Sequence, residues 1–323
     1  MFTVLVTDHP APDTAIEADL LAAIGGRLVV AETGSEAELL GLVPEADAIL
    51  TCFRLVTPAV VRAGERLRVI GRYGVGVDNI AVDVATEQGI VVTNVPVYCV
   101  DEVAEHAVAL LLTLARRTAQ YDADVRAGGW RIEAGMPIHR IAGSVLGVVG
   151  FGHIGREVVA RGRGLGMRVL VSDPSHPADE VRAAGAEPRD LDDLLAESDA
   201  VTLHVPLTPA TRGLIDATRL ARMKPGAFLI NCARGAVVDL DALAEALGSG
   251  RLGGAGLDVF IPERLPVDHP LVGLRNTVLT PHVAFYSEES IAELQRRATD
   301  NVVAVLSGNA PSSVVNAGVR PRG

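Results

Sequence analysis

Short apolar segments rich in valine and isoleucine alternate with helical stretches along almost the whole chain. In its first part the pattern predicts strands at 2–7, 27–31, 48–51 and 68–72, and a helix over 12–24. Because each strand is followed by a helix and then by another strand, the strands must run parallel with crossover helices between them. The sequence therefore predicts the α/β class.

A second series of the same kind begins at residue 144, after one long helix over 101–117. That helix has acidic residues in its first turns and arginines in its last, as the helix dipole favours. Further strands are predicted at 145–149, 167–172, 200–203, 227–230, 254–257 and 277–279, followed by a helix over 288–306. Since a complete nucleotide-binding sheet starts in the middle of the chain, a separate α/β domain precedes it. The residues after 307 are predicted to be a surface tail.

Charge and hydropathy exclude two classes of partner. The 323 residues carry 29 basic and 40 acidic side chains, a net charge of −11, and only 3% are aromatic, which disfavours a nucleic-acid surface. Mean hydropathy is high at +0.30. The apolar stretch at 107–115 nevertheless falls far short of the roughly 18 residues that a spanning helix needs. We expect no membrane partner.

The amino terminus and the cysteines indicate a reducing compartment. The segment MFTVLVTDHP has no basic leader, which disfavours a secretory signal. Cys52, Cys99 and Cys232 are odd in number and widely spaced, and they predict neither a disulfide framework nor a metal site. The expected location is the cytoplasm.

A glycine-rich loop follows the apolar strand 145–149 and opens a helix. It reads Gly150-Phe151-Gly152-His153-Ile154-Gly155. Glycines there allow the backbone to approach a pyrophosphate, whose charge faces the amides of the helix N-terminus. Asp173 ends the next strand, where an acid would bind the adenine ribose. Because a carboxylate repels a 2′-phosphate and residues 172, 174 and 175 supply no cation, we expect NAD rather than NADP. The alternative is a tight turn with Asp173 as a capping residue.

Polar side chains follow three of the later predicted strands. Arg234 lies directly after one strand, Asp258 ends the next, with Glu263 five residues on, and His282 follows the third. The carboxyl ends of parallel strands are where open α/β sheets bind ligands. An arginine there can hold a carboxylate and polarise a ketone, and a histidine oriented by a carboxylate can donate a proton. These residues predict reduction of a 2-keto acid, although a surface arginine and a structural histidine remain alternatives.

Together these motifs resemble the NAD-dependent D-2-hydroxyacid dehydrogenases, specifically their phosphoglycerate-dehydrogenase-like branch. The resemblance spans nearly the whole chain and rests on GRYGVGVDNI, VLGVVGFGHIGRE, LHVPLTPATRGLI, MKPGAFLINCARGAVVD, GAGLDVF and LTPH. It implies two doubly wound parallel-sheet domains with an active-site cleft between them. A flavodoxin-like substrate domain would comprise residues 1–98 and 286–323, and a Rossmann NAD-binding domain residues 99–285. It also implies a homodimer formed through the cofactor domains and helix 101–117.

The resemblance also assigns roles to individual residues. Arg234 would bind the substrate carboxylate and ketone, and Glu263 and His282 would form the acid–base couple for interconverting a D-2-hydroxy acid and its 2-keto acid. The implied cofactor contacts are Cys99, Gly150, Gly152, His153, Ile154, Gly155, Asp173, His204, Val205, Pro206, Thr211, Cys232, Ala233, Asp258 and Ala284. The implied substrate contacts are Arg54, Tyr73, Val75, Gly76, Arg234 and His282. Arg54 and Arg72 are each either an anion contact or an ordinary surface charge.

Within the branch, Phe285 and Tyr286 after the P-H pair look most like the C-terminal-binding-protein group. They depart from the glycine-rich segment of phosphoglycerate dehydrogenases, whose regulatory domain also has no counterpart here, so 3-phosphoglycerate is not the expected substrate. The main alternative function is an NAD(H)-sensing, corepressor-like protein with little turnover. A formate or phosphite enzyme ranks last, because formate enzymes of this fold pair the histidine with glutamine rather than glutamate.

Overall fold

The computed structural model describes residues 2–322, and its strands are short and mostly buried. In chain order they are β1 (Phe2–Val6), β2 (Gly26–Val30), β3 (Ala48–Thr51), β4 (Val69–Arg72), β5 (Val91–Thr93), β6 (Val145–Val149), β7 (Arg168–Ser172), β8 (Glu187–Pro188), β9 (Ala200–Leu203), β10 (Phe228–Asn231), β11 (Gly254–Leu257) and β12 (Thr277–Leu279).

Helices connect nearly all successive strands. They are α1 (Ala15–Ala22), α2 (Glu36–Leu42), α3 (Pro58–Ala63), α4 (Val82–Glu87), α5 (Val100–Arg116), α6 (Thr118–Arg126), α7 (His153–Gly164), α8 (Ala178–Ala183), α9 (Leu191–Glu197), α10 (Ala217–Arg222), α11 (Leu240–Gly248), α12 (Pro270–Gly273) and α13 (Glu288–Leu306).

The chain divides into two compact units. The first unit is formed by the chain up to Tyr98 together with the chain from Tyr286 onwards, and the second unit is Cys99–Phe285. The first unit has a parallel sheet in the order β2-β1-β3-β4-β5, the flavodoxin-like order. Helix α13 packs closely on this sheet at Gly71, where an added Cβ would lie 2.7 Å from the Val302 side chain.

The second unit has a seven-stranded parallel sheet in the order β12-β11-β10-β9-β6-β7-β8. This is the doubly wound dinucleotide-binding order with one strand added at its edge. The order in which the chain adds strands to the sheet changes direction between β6 and β9, which are neighbours and pair with each other. Ligands of such sheets bind beside the carboxyl ends of the strands at this reversal, and the glycine-rich loop follows β6 there.

Helix α5 packs on the sheet of the second unit through a stripe of small and branched apolar side chains. Leu110 and Leu114 belong to its buried face. Glycines on β11 allow the close approach, because a Cβ at Gly256 would lie 2.8 Å from Cβ of Leu110 and one at Gly254 would lie 2.9 Å from Leu114. The helix ends at Arg116, and the next residue, Arg117, has a φ of 55° that turns the chain into α6.

The predicted α/β class is confirmed, and the predicted strands match within a residue or two. The strands β5 and β8 were not predicted because runs of three and two residues are too short to show a period. The residues after 307 lie mostly at the surface, as predicted, but one side chain of this tail is buried against the first unit. Asn316 is only 7% exposed. Its side chain accepts a hydrogen bond from Val92 N at 2.8 Å and donates one to Ile90 O at 2.9 Å. The tail therefore provides hydrogen-bond partners for backbone groups at the edge strand β5.

Across residues 2–322, every helix is too short or too polar to span a lipid bilayer.

The side chain of Asn316 should therefore stabilise the first unit measurably. Replacing it with alanine leaves a buried amide and a buried carbonyl without partners, which costs about 1–3 kcal/mol. We expect Asn316→Ala to lower the free energy of unfolding in urea by that amount. Asn309→Ala, at an exposed position of the same tail, should change it by less than about 0.5 kcal/mol. Equal effects of the two variants would contradict this role for the tail.

Candidate active site

The strands β10, β11 and β12, which form one edge of the sheet of the second unit, end at the same level. Their register pairs Asn231 with Leu257 and Leu257 with Leu279. Backbone hydrogen bonds continue past the strand ends, since Asp258 N donates to Asn231 O at 3.0 Å and Thr280 N donates to Leu257 O at 2.9 Å. The loops that begin here carry the three predicted catalytic residues, Arg234, Glu263 and His282.

The loop after β10 is fixed by an asparagine that the sequence reasoning did not single out. Asn231 is fully buried, accepts from Ala233 N at 3.0 Å and donates to Arg234 O at 2.9 Å. Gly235 is required next, because a Cβ there would lie 2.2 Å from the carbonyl carbon of Phe260. The backbone on both sides of Arg234 is therefore held by packing against the loop that follows β11.

His282 and Glu263 form the predicted pair. Nδ1 of His282 is hydrogen-bonded to Oε1 of Glu263, and the imidazole packs edge-on against Phe285 with ring centroids 6.0 Å apart. A carboxylate only accepts, so Nδ1 carries the hydrogen in this contact and Nε2 is the atom that can exchange a proton. His282 has a φ of 55°. This left-handed conformation is costly for a residue other than glycine and indicates that the surroundings impose it.

Asp258 contacts the loop that carries His282, residues 280–287 between β12 and α13, which we call the histidine loop. Its side chain is fully buried, with Oδ1 accepting from Val283 N at 3.0 Å and Oδ2 from Ala284 N at 2.9 Å. The carbonyl oxygen of Asp258 accepts from His282 N at 2.8 Å. Asp258 therefore holds the histidine loop. Its predicted contact with the cofactor stays a prediction.

Two glycines of the loop after β6 are required by close contacts within the protein. Gly150 has a φ of 97°, and a Cβ there would lie 2.6 Å from His204 O. A Cβ on Gly155 would lie 2.1 Å from Gly150 O, so the start of α7 could not approach the end of β6.

Gly152 is different, because nothing in its own protein surroundings needs a glycine. Its φ is −69°, and a Cβ there would meet no atom within 4 Å. It is exposed, and as the N-cap of α7 it supplies no side-chain hydrogen bond to the first-turn amides. Open space beside uncapped amides at a helix N-terminus fits a pyrophosphate. The residues present therefore fit the predicted dinucleotide.

Asp173 lies at the carboxyl end of β7, as predicted for the ribose contact. Burial alone would raise the pKa of this carboxyl, but hydrogen bonds from the amides of Phe151 and Ser175, together with the His176 ring, lower it overall. The group is therefore ionised at neutral pH. Residues 172, 174 and 175 supply no cation, but Nδ1 of His176 lies 3.1 Å from Oδ2 of Asp173. This contact was missed because His176 lies three residues along the chain.

Most of the other predicted cofactor residues lie in loops that follow strands of the second unit. Burial lowers the pKa of His204 to about 4, so its imidazole is neutral, and Nε2 lies 2.9 Å from Thr202 Oγ1. Thr211 Oγ1 donates to Pro206 O at 2.5 Å and closes the loop after β9. Burial, with a smaller contribution from Asp258, raises the pKa of Cys232, which stays a thiol. The remaining members are His153 and Ile154 on α7, Cys99 at the N-cap of α5, and Val205, Ala233 and Ala284 in the loops after β9, β10 and β12.

The predicted substrate residues of the first unit lie at the carboxyl ends of β3 and β4. Asp8, which was not predicted, organises the loop after β3 by accepting from Cys52 N at 2.9 Å and Phe53 N at 2.6 Å. Arg54 and Val75 are exposed, and Gly76 is half-buried.

The side chain of Tyr73 faces the core instead. It is 1% exposed, and its hydroxyl donates to the buried Glu17 at 2.7 Å. Burial and the Glu17 charge raise the pKa of Tyr73 well above its ordinary value. Its phenol is therefore placed inside the first unit, away from the surface where Arg54 lies. Arg72 is also buried, at 8% exposed, and its Nε has no hydrogen-bond partner among residues 2–322.

The chain matches the sequence model of one protein family. Residues 108–284 match "D-isomer specific 2-hydroxyacid dehydrogenase, NAD binding domain". The match includes the glycine-rich loop, Asp173 and the loops that carry Arg234, Glu263 and His282.

Two relatives extend the similarity to the rest of the chain. A glyoxylate reductase of Korarchaeum cryptofilum is 41% identical over 289 residues, which cover 87% of each chain. A D-3-phosphoglycerate dehydrogenase of Methanocaldococcus jannaschii is 39% identical over 98% of this chain. The chain spans only 60% of the length of that second relative.

A solved structure shows the same fold. The D-lactate dehydrogenase of Aquifex aeolicus, in complex with NAD and lactic acid, superimposes with a TM-score of 0.88 at 30% identity. The similarity covers 97% of this chain and 98% of the other. The predicted cofactor, NAD, is confirmed by the family, while the finer likeness to the C-terminal-binding-protein group stays a prediction.

The contrast between the glycines of the loop gives a direct test of the cofactor site. Gly152→Ala adds a methyl group where the protein has room but a pyrophosphate would lie, so we expect NADH affinity to fall at least tenfold with unchanged thermal stability. Gly155→Ala should lower thermal stability, because its Cβ overlaps Gly150 O. The measurements are NADH titration by fluorescence and thermal unfolding. Normal NADH binding by a folded Gly152→Ala protein would contradict the assignment.

Fold, cofactor loop and relatives agree on one family. The family match covers more than half of the chain, and the glyoxylate reductase is similar over nearly all of it. The chain belongs to the D-isomer specific 2-hydroxyacid dehydrogenase family.

Proposed function

We propose that this protein interconverts a D-2-hydroxy acid and its 2-keto acid, with Arg234 as the substrate anchor and His282 with Glu263 as the acid–base couple. The observation that carries the proposal is the Glu263–His282 hydrogen bond, which joins the loops after β11 and β12. The loop of Arg234 follows β10, the strand that pairs with β11. NAD(H) supplies or accepts the hydride.

Arg234 suits the carboxylate and the carbonyl of the substrate. Its guanidinium has a fixed charge and a planar set of donors that can hold a carboxylate and polarise an adjacent ketone. The Asn231 contacts and the packing of Gly235 hold its backbone, so the charge is presented by a rigid loop. A rigid donor lowers the cost of organising the site when charge develops on the carbonyl oxygen.

His282 suits the proton transfer. In the direction of reduction, its Nε2–H donates the proton to the carbonyl oxygen, which becomes the hydroxyl of the product. In the reverse direction the neutral Nε2 accepts that proton. Glu263, bonded to Nδ1, orients the ring and stabilises its protonated form in both directions.

We extend the proposal to the residues that would hold the dinucleotide and the substrate. The pyrophosphate would lie at Gly152 and the first turn of α7, and the ribose at Asp173, while the loops after β9, β10 and β12 would bind the rest. In the first unit, Arg54 and the backbone of Val75 and Gly76 are the proposed substrate contacts. The relatives act on glyoxylate, lactate and 3-phosphoglycerate by name, and we propose a small 2-keto acid as the substrate class.

Removing the imidazole should abolish most of the turnover. For His282→Ala we expect NADH oxidation with a panel of 2-keto acids to fall roughly 10²–10⁴-fold, because the general acid is lost. NADH affinity, measured by fluorescence, should stay within about threefold of wild type. His139→Ala, at an exposed position of the same unit, is the matched control and should keep full activity. Undiminished turnover in His282→Ala would remove the proposed mechanism.

We also propose that two copies of the chain associate through the segment after α5. Helix α6 has no buried side chain. The segment that follows exposes Trp130 (89%), Ile132 (70%) and Met136 (62%). Helices of nine residues are not stable in water without packing, and a cluster of exposed large apolar side chains marks an interaction surface. A second copy would cover this surface symmetrically, in line with the homodimer that the resemblance implies.

The association can be tested by the mass in solution. The wild-type protein should have about twice its chain mass of 33.8 kDa by light scattering after size exclusion. Trp130→Asp should shift it to the monomer mass, because a charge at the centre of an apolar interface is costly to bury. Val314→Asp, at another exposed apolar position, should leave the mass unchanged. A monomeric wild type, or a Trp130→Asp variant that remains dimeric, would contradict the proposal.

The cysteines are thiols, in keeping with the reducing compartment expected from their spacing, and we propose a cytoplasmic location.

The corepressor-like alternative is not favoured, since the relatives are named as reductases and dehydrogenases. Specific capture of a partner protein in an NADH-dependent way, without turnover on any 2-keto acid, is the result that would revive it.

A further inference from the structure

A chain of side-chain hydrogen bonds leads from α5 to the histidine loop. Nε2 of His106 lies 2.9 Å from Oγ1 of Thr280, and Oγ1 of Thr280 donates to Oδ1 of Asp258 at 2.5 Å. His106 and Thr280 are 174 positions apart in the sequence, and neither was assigned a role above.

The direction of each bond in this chain is fixed by chemistry. The ionised Asp258 can only accept, so Thr280 must give its single hydroxyl hydrogen to it. Thr280 then has only lone pairs to offer His106, and Nε2 of His106 must carry a hydrogen. Donation therefore runs from His106 to Thr280 and from Thr280 to Asp258.

Asp258 passes this constraint to the histidine loop. Its Oδ1 also accepts from Val283 N at 3.0 Å, and its Oδ2 accepts from Ala284 N at 2.9 Å. These amides directly follow His282, the residue with a φ of 55°. A fully buried carboxylate that loses one of its donors would turn towards other donors. This change would release the amides and let the loop relax.

We propose that His106 and Thr280 are positioning residues, which hold the carboxylate of Asp258 so that His282 keeps its left-handed conformation and faces Glu263. The inference rests on the proposed function, because it gives Thr280 an effect on turnover only through His282. His106 and Thr280 do not touch the reacting atoms in this account. They act by keeping the imidazole within the small range of positions that proton transfer tolerates.

The isosteric pair Thr280→Val and Thr280→Ser separates this role from simple packing. Valine keeps the shape and removes the hydroxyl, and serine keeps the hydroxyl and loses the methyl group. We expect Thr280→Val to lower kcat, measured at saturating NADH, about 10- to 100-fold. Thr280→Ser should restore kcat to within about twofold.

A double-mutant cycle shows whether the effect passes through the imidazole. If Thr280 acts by positioning His282, adding Thr280→Val to His282→Ala should change the residual rate by less than about twofold. A residual rate that falls by the same factor as in the single variant would overturn the inference. An unchanged kcat in Thr280→Val, or a lack of rescue by serine, would also overturn it.

The outcomes distinguish this inference from the proposed function. A normal rate for His282→Ala would remove both, whereas a low rate for His282→Ala with a normal rate for Thr280→Val would remove only the positioning role. If Thr280→Val does not fold, the same cycle is run with His106→Leu and His106→Gln. The glutamine can still donate to Thr280 and the leucine cannot, so only the leucine variant should lower kcat.

Discussion

The arrangement of the candidate active site depends on the hydrogen-bonded register of β10, β11 and β12. Parallel strands that end at one level deliver their loops to one edge of the sheet, and here the backbone bonds continue beyond the strands, from Asp258 N to Asn231 O and from His282 N to Asp258 O. Residues far apart in the sequence, Arg234, Glu263 and His282, are thereby carried on adjoining loops. Buried Asn231 and Asp258 at the strand ends then fix those loops. The proposed chemistry uses side chains, but the hydrogen bonds between the backbones of these strands and loops set their positions.

The same edge of the sheet separates residues needed for folding from residues needed for a ligand. Gly150 and Gly155 are explained by contacts within the protein, since a Cβ at either would overlap backbone atoms. Gly152 has no such contact, because its surroundings are open, and the proposed pyrophosphate would account for a glycine there. One short motif thus contains both kinds of constraint, and the structure tells them apart where the pattern of glycines cannot.

Much of the fold could be predicted from the sequence because buried parallel strands are continuous apolar runs and each is bounded by a helix. The positions of Arg234, Glu263 and His282 after strands were also visible, as was Asp173. The partners that fix them were not. Asn231 and Asp8 look like ordinary polar residues at strand ends, and His106 meets Thr280 only through tertiary packing. The burial of Tyr73 against Glu17 and the pairing of Asn316 with β5 depend equally on long-range contacts.

In the proposed mechanism the Arg234 guanidinium and the His282 imidazole meet one 2-keto acid beside the nicotinamide. A crystal structure of the protein with NADH and oxamate, an unreactive analogue of a 2-keto acid, tests it most directly. We expect the oxamate carboxylate to pair with Arg234, and its amide carbonyl oxygen to accept a hydrogen bond from Nε2 of His282 while Glu263 stays on Nδ1. Oxamate bound away from Arg234, or a His282 ring whose Nε2 does not reach it, would contradict the account.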